Sequence, residues 1–164
     1  MVASHTQKMK IEILNNQQDL RLPILPWKAF TQWIMAQVQD LDPSKSWSAL
    51  SVVFTDHAGI TSLHETYLGQ QKTTDVISFL YPPSPPAVPG FVGEVIVNVQ
   101  CAKEVGPHHE GAVRELARYI AHGCQHLSGA EDHTPLLKKQ MQQIEDAWLN
   151  TAEKNGLLSP LKLL

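Results

Sequence analysis

The chain has 164 residues and a mass of 18.3 kDa, a size at which one hydrophobic core forms readily and two would each lack burial, so residues 1–164 read as a single domain. Hydrophobic residues make up 43% and charged residues 18%, against the roughly 25% charged share of typical globular chains, which excludes a disordered chain. A formal net charge of −3 and a pI of about 6.2 have the wrong sign for wrapping duplex nucleic acid by bulk electrostatics, while leaving room for a local basic groove.

No apolar run approaches the roughly 20 residues of a spanning helix, and the opening MVASHTQKMK has no apolar centre of the secretory kind. A cytoplasmic protein without a membrane partner is expected, and Cys101 and Cys124, which form no CxxC pair, agree with that. Eight histidines are the unusual count.

In chain order, Ile11 to Leu14 reads as a strand, and Trp27 to Val38 as a helix whose face carries Phe30, Trp33, Ile34 and Val38. Leu50 to Thr55 is a second strand, after which Asp56 caps a helix running to Tyr67 and ended by Gly69. Asp75 to Leu80 and Gly93 to Val99 are β-rich runs on either side of YPPSPPAVPG, a segment with five prolines in ten residues. That segment is a loop, and the two runs are expected to pair across it like a hairpin. Val113, Leu116, Ile120, Cys124 and Leu127 then form a helical apolar stripe stopped by Gly129. A last helix opens at Thr134 and Pro135 and continues through Met141, Ile144 and Trp148, leaving a peripheral tail after Asn150. The order implies an α+β fold, a small mixed sheet of about four strands covered by helices with some parallel pairing.

The chemistry is concentrated in His122 to His133, HGCQHLSGAEDH. His122 and His126 lie four apart, so on a helix their imidazoles leave one face and can share a metal ion. Gly129 lets the chain turn back, bringing a third ligand from Glu131, Asp132 or His133. Two histidines and one further group leave an open coordination position, the mark of a catalytic rather than a structural metal site. Cys124 belongs to the apolar stripe, where it packs. No glutamate follows His122, so the base of an HExxH metallopeptidase is missing.

This segment resembles the HGxLHLxGxDH signature of the YbeY family, zinc-dependent endoribonucleases specific for single strands and involved in ribosomal RNA maturation. TTDVISF, Thr73 to Phe79, resembles that family's PTDVLSF block, and GEVIV, Gly93 to Val97, its GDIxI strand. The blocks occur in the family's order, and the similarity covers residues 50–149. The resemblance implies one zinc ion per chain, a zinc-bound water that hydrolyses a phosphodiester, and single-stranded small-subunit ribosomal RNA and the small ribosomal subunit as partners, with no DNA.

The sequence departs from the family at several positions. The family's third ligand is usually a histidine ten residues after the first, where this chain has Asp132, with His133 one further. The ungapped register also places Met141 and Glu145 where the family's last helix has its Met and Glu, so His122, His126 and Asp132 are the expected ligands, with His133 the alternative third. Exchanging His for Asp lowers the site's net charge by one and makes its water less acidic. Glu131 or His133 is then the possible base. Where many members carry YR, with an arginine proposed to act on the phosphate, Tyr67 is followed by Leu68. A substitute cation must come from elsewhere, with Lys72, Arg118 and Arg114 the candidates. Gln125 and Ala130 replace the family's leucine and aromatic residue.

Thr74 and Asp75 are read as turn chemistry at a strand opening. Phe79 and Tyr81 are available for stacking on bases, although core and loop packing is the preferred reading of both. His57, His64, His108 and His109 are read as solvated. A rival from another class is a ribosome-assembly factor in which the metal only stabilises the fold.

Overall fold

The computed structural model describes residues 8–164. The reading of a chain without a signal peptide bears on residues 1–7, which lie outside the described residues. Among these residues four strands form one sheet, β1 (Lys10–Asn15), β2 (Trp47–Thr55), β3 (Val76–Tyr81) and β4 (Phe91–Asn98), in the order β1-β2-β4-β3. β1 with β2 and β2 with β4 are parallel, and β3 lies antiparallel to β4 with Val76 opposite Val97 and Tyr81 opposite Val92. The hairpin expected across the proline-rich loop is therefore present, and β3 is an edge of the sheet.

Among the described residues five α-helices accompany the sheet: α1 (Ile24–Leu41), α2 (His57–Leu68), α3 (Val99–Val105), α4 (Ala112–Leu127) and α5 (Pro135–Lys154). Alternation along the strands divides the packing. Leu50, Val52 and Phe54 of β2 and Val95 and Val97 of β4 face the main core, which α1 and α4 fill with Trp27, Phe30, Ile34, Leu116 and Ile120. Val53, Ile77 and Ile96 point to the other face, where Ile60 of α2 covers them. Asp56 caps α2, its carboxylate accepting from the Gly59 amide at 2.8 Å, and Gly69 ends it at φ +68°.

Three sequence readings needed correction. α3 was not anticipated, and the strand read as ending at Val99 stops at Asn98, whose side chain caps α3 by accepting from the Cys101 amide. The stripe of α5 is turned by one residue. Met141, Glu145, Leu149 and Ala152 are buried, while Ile144 and Trp148 are half-buried, because a buried glutamate at the centre of the face is invisible to a count of apolar residues. The tail after Asn150, expected to be peripheral, packs onto α1. Leu161 is 3% exposed, the Trp27 indole donates to the Lys162 carbonyl, and Leu164 and Arg21 exchange two backbone hydrogen bonds.

Among the described residues no helix is long and apolar enough to cross a membrane. Because Leu161 is part of the core, Leu161→Ala should lower unfolding stability by about 2–4 kcal/mol. A chemical denaturation series checks this, and a change under about 0.5 kcal/mol would return the tail to the periphery.

Candidate metal centre

α4 lies tightly against β3 and β4 because position 123 has no side chain. A Cβ there would come within 2.6 Å of Val95 Cγ1 and 2.9 Å of Ser78 Oγ, and the Ser78 hydroxyl donates to the Gly123 carbonyl at 2.9 Å. This seats the last two turns of α4 on the edge of the sheet, with His122 and His126 on one side of the helix. Gly129, at φ +100°, then reverses the chain into the segment that carries Asp132.

The three side chains converge. The two imidazole Nε2 atoms are 3.0 Å apart, and Asp132 Oδ2 is 3.5 Å from each of them. Ligand atoms about 2.0–2.1 Å from a tetrahedral ion lie roughly 3.3 Å from one another, so the separations suit a zinc-sized ion. The other ring nitrogens are engaged. His122 Nδ1 is 2.5 Å from Glu145 Oε1, and His126 Nδ1 is 2.9 Å from the Ala130 carbonyl oxygen. Both partners are acceptors, so both Nδ1 atoms carry the proton and both Nε2 lone pairs point at the same space. Two facing lone pairs require a positive charge between them, either a proton or a metal.

In the metal-free protein the surroundings of His122 favour the proton. Burial of the His122 ring opposes ionisation, but the hydrogen bond and charge of Glu145, with Asp132 and Asp75 behind it, outweigh burial and raise its pKa. Glu145 is itself 2% exposed, and with its amide nitrogen turned inward Gln125 donates to Glu145 Oε1 and to the Met141 carbonyl, both at 3.3 Å.

Of the expected third ligands, Asp132 is the one brought to the histidine pair. Glu131 and His133 contact each other at 3.2 Å and are 68% and 66% exposed, outside the triad. Cys124 is fully buried in the core, where burial pushes its thiol up to about 12. Arg118 Nη1 is 2.6 Å from Asp146 Oδ1, and Arg114 is held by Glu110, Glu153 and Asn150. Lys72 lies in the loop between α2 and β3. Thr74 and Asp75 are held through their backbone carbonyls rather than by side chains closing onto the backbone, and the Asp75 carboxylate lines the cleft beside His122. The buried Asn98 donates its side chain to the Thr74 carbonyl and its backbone amide to the Asp75 carbonyl. Phe79 packs edge-on against Tyr67, while Tyr81 remains 49% exposed.

The histidines read as solvated are mostly engaged. His57 bridges Asn98 and Glu104, His109 contacts Glu115, and His64 Nδ1 is 2.8 Å from the Gln70 carbonyl. Glu145 and Gln125 are the site residues for which the sequence reading saw no role. The available signal was a charged and an amide side chain on otherwise apolar helix faces.

Two openings flank the triad. A cleft of about 620 Å³ between α4 and α5 is lined by His122 and Asp132 and by the carboxylates of Asp75, Glu110, Glu115, Glu145 and Asp146, with Arg114, Arg118 and Lys138 as its basic residues other than histidine. On the His126 side, a groove of about 340 Å³ between α2 and β3 is lined by His64, Leu68, Thr74 and β3, with no carboxylate.

Removing the carboxylate that orients His122 should weaken the metal without unfolding the chain. Glu145→Gln, with circular dichroism as the folding control, is expected to lose about 10- to 100-fold in zinc affinity by competitive titration, and unchanged affinity would dismiss the orienting role. A raised His122 pKa stabilises the metal-free fold fully below its ordinary value of 6.5, and this stabilisation is lost as pH rises through the raised value. A metal ion competes with a proton for the His122 Nε2 lone pair. The gain in Tm on adding zinc should therefore grow from about pH 6 to 8, and a flat gain would contradict the competition.

The family model for endoribonuclease YbeY matches residues 12–153. A YbeY endoribonuclease of Salinibacter ruber is 34% identical over 125 residues, covering 73% of this chain and 79% of the relative, and one of Picosynechococcus is 31% identical, covering 71% and 77%. The alignment with a Myxococcus xanthus member spans 42% of that protein. A Thermotoga maritima protein of known solution structure shares the fold, with a TM-score of 0.54 at 16% identity over 92% of this chain and 95% of that one. The triad of His122, His126 and Asp132 lies inside the matched residues 12–153, and the chain belongs to the YbeY endoribonuclease family.

Proposed function

We propose that this protein is a zinc-dependent endoribonuclease that hydrolyses single-stranded RNA during maturation of small-subunit ribosomal RNA in the cytoplasm. One zinc ion per chain is held by His122, His126 and Asp132. The observation that carries this reading is the convergence of two Nε2 lone pairs and one carboxylate oxygen at separations of 3.0, 3.5 and 3.5 Å. The naming of the curated relatives as endoribonucleases supports RNA as the substrate class.

A divalent ion held by three protein groups supplies Lewis acidity and a water that ionises near neutral pH. The chain's own residues prepare the site. Glu145 holds the proton on His122 Nδ1 and the Ala130 carbonyl holds that on His126 Nδ1, keeping both Nε2 atoms available as ligands. Asp132 adds the negative charge that the pair lacks. The side chains of the triad stay 24%, 30% and 39% exposed, so a phosphodiester can reach them, as catalysis requires and a purely structural site does not.

The test is cleavage of an unstructured RNA by zinc-loaded protein beside a His126→Ala variant purified identically. Wild type should cut, and the variant should lose about two orders of magnitude or more in rate. Stoichiometric zinc with no cutting by wild type would overturn the nuclease reading in favour of a ribosome-assembly factor stabilised by its metal.

A further inference from the structure

We propose that the RNA strand reaches the metal triad through the carboxylate-free groove along the open edge of β3, and that His64 recognises it there by accepting a hydrogen bond from a ribose 2′-hydroxyl. This rests on the endoribonuclease reading and adds to it the path of the strand and a residue that distinguishes RNA from DNA.

Charge selects between the two openings. The larger cleft presents six carboxylates, Asp132 included, and its two arginines are already paired with acidic side chains. A polyanion entering there meets repulsion before it meets the metal. The groove has no carboxylate in its lining and shares His126 with the triad.

Backbone geometry adds donors. The Asn98 amide donates to the Asp75 carbonyl at 2.8 Å, which makes residues 75 and 98 a hydrogen-bonded antiparallel pair. Alternation then turns residues 77, 79 and 81 toward β4 and leaves the amides of Val76 and Ser78 on the free edge. Both residues line the groove, where their N–H groups suit phosphate oxygens.

His64 faces this edge from α2. Its Nδ1 is 2.8 Å from the Gln70 carbonyl, which can only accept, so the ring donates from Nδ1 and the neutral imidazole keeps Nε2 as an acceptor. A 2′-hydroxyl is the donor that RNA has and DNA lacks.

The experiment compares wild type, His64→Ala and Lys138→Ala in three measurements: zinc content, KM and kcat on an unstructured RNA, and anisotropy binding, with EDTA present, of that RNA and of DNA of the same sequence. His64→Ala should weaken RNA affinity and raise KM about three- to tenfold, leaving DNA affinity, zinc content and kcat unchanged, and Lys138→Ala should change none of these. Equal losses for RNA and DNA would remove the 2′-hydroxyl contact. A loss confined to Lys138→Ala would place the strand in the acidic cleft and overturn the path. Wild type that binds RNA through His64 without cutting it would overturn the nuclease reading and keep the groove.

Discussion

Two imidazole nitrogens without protons, held 3.0 Å apart and facing each other, are unstable unless a positive charge lies between them. That constraint organises this end of the molecule. Position 123 must be glycine for α4 to sit close enough to β3 and β4 to aim both rings outward at the sheet edge. Gly129 must turn the chain for Asp132 to return. Glu145 is buried on α5, where it fixes the tautomer of His122. An acidic side chain 2% exposed is costly in a core, and it is stabilised here by contacts with His122, Gln125 and Arg118.

The electrostatics around the triad separate two tasks. Acidic groups concentrated in the larger cleft support the positive charge at His122, through Glu145, Asp132 and Asp75. The same carboxylates make that cleft a poor road for a nucleic acid. On the proposed path, the groove beside β3 offers uncharged donors and no carboxylate, which would let an overall acidic chain with a net charge of −3 accept RNA.

Much of this was legible in the residues. Strand alternation, the Asp56 and Thr134 caps and the stopping glycines placed most elements, because they are local signals read within a few positions. The pair His122 and His126 was legible for the same reason, whereas spacing left the third ligand open among Glu131, Asp132 and His133, and only the resemblance to the family's register favoured Asp132 over His133. Tertiary partnership was not legible. Glu145 was only a register marker until α5 packed against α4, and Gln125 looked like a departure without chemistry although it is 1% exposed and reaches Glu145. α3 was missed because its seven residues follow directly on a strand that shares their apolar character. The tail was misjudged because its leucines carry no periodic pattern, and only the position of α1 gives them a surface to cover.

X-ray absorption spectroscopy of the zinc-loaded protein tests the central claim most directly, since it reads the atoms around the ion independently of any activity. The account predicts one zinc per chain with nitrogen and oxygen neighbours at about 2.0–2.1 Å and imidazole scattering from two rings. A sulfur neighbour near 2.3 Å, or a single imidazole, would contradict it.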